Sequence, residues 1–141
     1  MSTVTKRQFL SYGIGALALA GAGYAWTAGA GATGVERKFM TVEEMKAANA
    51  VIVDIRTPAE WHETGVIDGA RLVTFGDAQS FLAQLGPDLA DGRDLILICR
   101  SGNRSSAAAD ALAGMISNRI ISIDGGMRRE ISAGYQTVPP I

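Results

Sequence analysis

From residue 36 onward the chain alternates between short apolar runs and segments patterned as helices. Val51-Ile52-Val53-Asp54-Ile55, Leu95-Ile96-Leu97-Ile98 and Ile120-Ile121-Ser122-Ile123 have strand length and many β-branched side chains, and Arg71 to Phe75 predicts a further short strand. Thr41-Val42-Glu43-Glu44 and Thr57-Pro58-Ala59-Glu60 are capping boxes, in which the threonine hydroxyl accepts from the third helical amide and the glutamate returns to the cap amide. The first predicts a short helix through Ala48. The second has proline where a missing N–H costs nothing, and predicts a helix that carries Trp61 into the core and ends near Thr64-Gly65. Ser80 to Leu85 reads as a helix stopped by Gly86-Pro87, and Asp91-Gly92 as a turn. Ser105 to Met115 reads as a second long helix. Asp124-Gly125-Gly126 turns the chain into a last helix ending near Ala133-Gly134. Continuous apolar strands alternating with helices predict a parallel sheet covered on both faces, one α/β domain over residues 36–141.

The segment before that domain has a different pattern. Lys6 and Arg7 precede an uncharged stretch from Gln8 to Val35, rich in Gly, Ala and Leu, with small-x-small sites at Ala28-Gly29-Ala30 and Ala30-Gly31-Ala32. Basic, apolar, then small is the order of a secretory signal peptide. Residues 1–32 are therefore expected to be a signal peptide, or else an uncleaved membrane anchor helix through residues 9–32, long enough to span a bilayer with Lys6 and Arg7 on the cytoplasmic side. Thr5-Lys6-Arg7-Gln8-Phe9-Leu10 resembles a twin-arginine export motif with lysine in the first position. Both readings put the domain outside the cytoplasm, in the periplasm or held at the inner membrane. Gly29, Gly31 and Gly34 would form a flexible joint before it.

Charge and composition narrow the chemistry. The formal net charge is −1, and without residues 1–32 it would be about −3, which gives no support to nucleic-acid binding. One cysteine and one histidine, His62, leave no internal disulfide, no all-cysteine metal site and too few ligands for an ordinary zinc site. No cofactor site is read.

The chemistry concentrates at Cys99-Arg100-Ser101-Gly102-Asn103-Arg104, where a buried strand hands over to an alanine-rich helix. A loop there can aim successive amides at one point, backed by the positive end of the helix dipole, and such a concavity binds anions and stabilises a thiolate. Cys99 is the candidate nucleophile. Arg100, Ser101, Gly102, Asn103, Arg104 and Ser105 are the candidate binding residues, with the amides and two arginines lowering the thiol's proton affinity. In an open sheet the ligand lies beyond the carboxyl ends of the strands, so Asp54-Ile55-Arg56 and Asp124-Gly125-Gly126 are expected on the same rim.

The loop matches the cysteine-x-x-glycine-x-arginine pattern of the single-domain rhodanese-like sulfurtransferases. Val53-Asp54-Ile55-Arg56, Glu60-Trp61, Gly65-Val66-Ile67-Asp68-Gly69-Ala70, Asp124-Gly125-Gly126 and Gly134-Tyr135 match the family's other segments in order and spacing, over about residues 38–138. The resemblance implies a rhodanese-like α/β fold with a five-stranded parallel sheet flanked by helices. It implies a Cys99 persulfide that carries a sulfane sulfur from a donor such as thiosulfate to cyanide or a thiol. It also implies that the loop amides hold the persulfide, with Arg100 pointing into the pocket. Arg104 either contacts the donor or pairs with a carboxylate. Val66 and Glu130 stand where the family commonly has His and Trp, and both are read as packing or surface changes.

Three other readings compete with the enzyme. A non-enzymatic sulfur carrier or partner-binding module would use the same loop. A cysteine phosphatase or arsenate reductase would share the Cys, the amide cradle and the Arg, but with five residues between Cys and Arg where this loop has four, Arg100 to Asn103. A Cys–His hydrolase would need His62 at Cys99, although it sits mid-helix beside Trp61 with no acid partner in view. Asp54 and Arg56 read as a structural brace, and Arg128 and Arg129 as a solvated face.

Overall fold

The computed structural model describes residues 34–141, and the signal or anchor reading of residues 1–32 lies outside them. Five parallel strands form one sheet in the order β1-β5-β4-β2-β3: β1 Val35–Lys38, β2 Val51–Asp54, β3 Arg71–Leu72, β4 Leu95–Ile98 and β5 Ile120–Ile123. The helices are α1 Val42–Ala47, α2 Pro58–Thr64, α3 Ala78–Leu89, α4 Asn103–Leu112 and α5 Gly126–Ser132. Among the described residues no helix is long and apolar enough to cross a membrane.

The alternation of strand side chains sorts the core into two layers. Leu95, Leu97 and Cys99 face one side with Val51, Val53 and Ile120, against Phe81, Leu85 and Leu89 of α3 and Ala108, Ala109 and Leu112 of α4. Ile96, Ile98, Ile121 and Ile123 face the other, against Val42 and Met45 of α1 and Met127 of α5. The central strands β2, β4 and β5 are buried along their whole length, which is why they read as apolar runs. Both capping boxes form.

Four boundaries differ from the sequence reading. Helix α3 does not stop at Gly86-Pro87 but runs from its Asp77 cap to Leu89, because Phe81, Leu85 and Leu89 continue one buried stripe through the proline. The strand expected over Arg71 to Phe75 is regular only at Arg71–Leu72, although Val73 and Phe75 still donate to Asp54 O and Ile55 O at 3.2 Å. Helix α4 begins two residues earlier than Ser105 and ends at Leu112, short of Met115, where Ala113 turns to extended backbone. Strand β1 escapes a hydrophobicity reading because it is an edge strand of sequence Val-Glu-Arg-Lys, its charges paired with Arg119, Asp110 and each other.

Trp61 is also not a core residue. Helix α2 buries none of its residues fully, and Trp61 is half-buried with its indole N–H lacking a partner among the described residues. The helix is held at the rim by polar contacts instead.

Candidate active site

Cys99 directly follows β4 and is 1 % exposed. The chain turns at Gly102, whose φ of 101° and ψ of −17° lie in the left-handed region that glycine enters without strain. The turn brings amides back onto the sulfur: Gly102 N lies 3.1 Å from Sγ and Ser105 N 3.4 Å, with Ser105 Oγ at 3.6 Å. Burial pushes the Cys99 thiol up. The Ser105 hydroxyl and the Ser105, Gly102 and Ser101 amides together outweigh it and leave the thiol below its ordinary value. The neutral donors lead this lowering, and of the two arginines expected to assist, Arg104 interacts with Cys99 through its charge.

A second glycine lets α5 close over the outer side of the loop. Gly126 has φ 55°, and a Cβ there would lie 2.4 Å from Cys99 O and 2.6 Å from the Arg100 carbonyl carbon. Without it, Met127 N donates to Cys99 O at 2.8 Å and Arg128 N to Arg100 O at 3.0 Å. The start of α5 thus fixes the loop's carbonyls from outside while the loop's amides converge inside.

The arginines have separate positions. Arg104 meets Glu60 with both terminal nitrogens, at 2.8 and 2.6 Å, and the same carboxylate accepts from Thr57 N at 3.0 Å in the α2 capping box. The Arg104 guanidinium holds Glu60 down to about 2, against burial and with help from Thr57. Arg100 is exposed and makes no ion pair among the described residues. It lines a hollow of about 60 Å³ with Arg56, Glu60, Thr64, Met127 and Arg128. Ser101 and Asn103 are exposed on the outer turn of the loop.

The loop after β2 braces this rim. Asp54 and Arg56 are 0 % and 1 % exposed, with Arg56 Nε 2.9 and 3.0 Å from the two Asp54 oxygens and Nη2 2.7 Å from Oδ2. The other guanidinium hydrogens reach Gly65 O at 2.8 Å, Thr64 Oγ1 at 2.7 Å and Glu60 O at 3.3 Å. Every donor of this buried cation has a partner, which is the condition for a stable buried pair. The expected brace is therefore present, tying β2 to the end of α2.

A sequence model described as "Rhodanese-like domain" matches residues 41–129. The chain belongs to the rhodanese-like family. The thiosulfate sulfurtransferase GlpE of Ectopseudomonas mendocina is 34 % identical over 84 residues, 60 % of this chain and 72 % of that protein. An uncharacterised Synechocystis protein is 31 % identical over 102 residues; the match covers 70 % of this chain and about half, 52 %, of that relative. A rhodanese-related protein of known structure from Thermoplasma volcanium superposes with a TM-score of 0.56 at 26 % identity, covering 73 % of this chain and 99 % of that one. A Rhodopseudomonas palustris structure described as a possible tyrosine phosphatase has a TM-score of 0.57 at 24 % identity, a likeness of fold alone.

Within this rhodanese-like domain the two departures have definite places. Val66 is core and pairs its backbone with Val138. Glu130 is 1 % exposed, with Oε1 lacking a partner among the described residues, and burial holds its carboxyl above the ordinary value. His62 is exposed on α2 and is not among the hydrogen-bond partners of Cys99 Sγ, which are Gly102 and Ser105. Three residues near the site were passed over in the sequence. Glu60 was absorbed by its capping role. Arg128 and Arg129 are both exposed, as a solvated face requires, but Arg128 also lines the hollow beside Arg100, and Arg129 lies over the Phe39 ring at 3.9 Å. Ser122 looked like part of a buried strand, and its only signal was a lone hydroxyl among isoleucines.

Proposed function

We propose that this domain is a thiosulfate-type sulfurtransferase working through a Cys99 persulfide. The Cys99 thiolate attacks the sulfane sulfur of the donor; in thiosulfate the S–S bond breaks and its electron pair leaves with sulfite. A cyanide ion or a thiolate acceptor then attacks the outer sulfur, and the pair of the second S–S bond returns to Cys99 Sγ. The observation that carries this reading is the convergence of the Gly102 and Ser105 amides on Sγ, at 3.1 and 3.4 Å, in a loop of four residues between Cys99 and Arg104. Such amides suit an anionic sulfur attached to Cys99. Arg100, without an ion pair among the described residues and facing the hollow, is the residue to draw in an anionic donor. Arg104 orders the loop through Glu60, and contact with the donor is a second role for it.

The full chain, given thiosulfate and cyanide, should release thiocyanate, and Cys99→Ser should not. Stoichiometric sulfur loading without turnover would favour a carrier, and aryl phosphate hydrolysis without sulfur transfer would favour a phosphatase. Export through residues 1–32 belongs to the same proposal, carried by their basic, apolar, small order. A mature N-terminus near residue 30 would support cleavage, and an intact Met1 in the membrane fraction would support the anchor.

A further inference from the structure

Strand β5 is Ile120-Ile121-Ser122-Ile123, and all four residues are buried. Side-chain alternation sends Ile121 and Ile123 to the α1 and α5 side and Ile120 to the α3 and α4 side. Ser122 therefore faces α4. Its register partner on β4 is Leu97, two residues before the nucleophile. Its side chain is 0 % exposed, and its hydroxyl has one hydrogen-bond partner among the described residues, Ser105 Oγ at 2.8 Å. A valine or isoleucine would suit this place in an apolar layer better on packing grounds alone.

The directions of the hydroxyl protons follow from counting donors and acceptors. If Ser105 donated to Ser122, the Ser122 proton would be buried without an acceptor, a loss of about 1–3 kcal/mol. Ser122 must therefore donate to Ser105. That leaves the single Ser105 proton two directions, Gly102 O at 3.1 Å or Cys99 Sγ at 3.6 Å. While Cys99 is a thiol, its S–H donates to Ser105 Oγ and Ser105 donates to Gly102 O. When the thiol proton has left to solvent, Ser105 turns its proton to the anionic sulfur. The chain then runs Ser122 O–H to Ser105 O–H to Cys99 S⁻, each bond polarising the next.

We propose that Ser122 is a positioning residue for the nucleophile: a buried hydroxyl on β5 that directs the Ser105 proton toward the Cys99 thiolate. The inference rests on Cys99 as the nucleophile of the proposed sulfur transfer. It adds a second place of action, because the electron pair returns to the same sulfur when the acceptor removes the outer one. Ser122 stabilises the attacking thiolate in the first half-reaction and the leaving thiolate in the second.

The test is a thiolate titration of the full chain by ultraviolet absorbance, with no sulfur donor present; Cys99 is the only cysteine, so the signal belongs to it. Ser122→Val and Ser122→Thr match in shape and differ in the hydroxyl. Val should move the midpoint up by about half to one pH unit and Thr should leave it near wild type. In a Ser105→Ala background the same Val substitution should add nothing. Ser122→Ala repeats the measurement in a smaller side chain if Val does not fold. Thiocyanate release by the Val variant should fall about threefold to tenfold. Equal midpoints for Val and Thr in folded protein would overturn the proposal, as would an equal Val shift with Ser105 absent. Because the titration needs no donor, a failure of sulfur transfer and a failure of this relay are separate results.

Discussion

Two strand-to-helix loops sit side by side on the same rim and treat charge in opposite ways. After β2, Asp54 and Arg56 are buried and neutralise one another, and every guanidinium hydrogen has a protein partner. After β4, the buried Cys99 is hydrogen-bonded to neutral groups, the Gly102 and Ser105 amides and the Ser105 hydroxyl. Arg104 is paired with Glu60 and acts on the sulfur only through its charge, and Arg100 remains exposed at the mouth. The first arrangement leaves nothing for a ligand to bind and everything to lose if one partner goes. The second favours an anion without pairing it to a cation, which suits the sulfur nucleophile proposed above. Within one rim, ion pairing marks the scaffold and converging dipoles mark the chemistry.

Breaking the scaffold loop should cost most in stability. Arg56→Met leaves Asp54 buried without its cation, and should lower unfolding free energy by about 3–5 kcal/mol in a denaturant titration. Breaking the reactive loop should cost most in activity. Gly126→Ala places a methyl 2.4 Å from Cys99 O at a positive φ, with strain of about 1–2 kcal/mol. Displacing the loop should lower sulfur transfer by up to about a hundredfold, far beyond the effect of Arg56→Met on the surviving folded protein.

The link between the loops is weaker. Glu60→Gln loosens the Arg104 bridge and the α2 cap together, and should cost about 1 kcal/mol at neutral pH. Glu60 binds its proton less readily when folded, so its contribution is complete above about pH 4.5 and is lost as pH falls toward 2. The Gln variant should lack that part of the acid slope. Glu130 should give the smallest effect, with the opposite sign. Burial raises its value, so the folded chain binds the extra proton and stability declines as pH rises above about 4.5. Glu130→Gln should flatten that decline in thermal melts across the pH series.

The central strands were legible because β2, β4 and β5 are apolar on both faces, and the two capping boxes announced α1 and α2 by residue type alone. Strand β1 was not, since an edge strand needs charge more than hydrophobicity, and only its pairing with β5 identifies it. The end of α3 was misread because packing of Leu89 overrides a local proline signal. At the site, Cys99 and its loop stood out through their chemistry. The pairing of Arg104 with Glu60 spans 44 residues, and the contact of Ser122 with Ser105 spans 17. Such contacts depend on how α2 and β5 approach α4, which no local pattern encodes.

In the proposed reaction Cys99 carries the transferred sulfur as a persulfide in its amide cradle. Intact-protein mass spectrometry of the full chain after exposure to thiosulfate tests it most directly, with Cys99→Ser as the control. One added sulfur, removed again by cyanide and missing from the serine variant, is the result expected. An unchanged mass in the wild type, or equal loading of the serine variant, would contradict it.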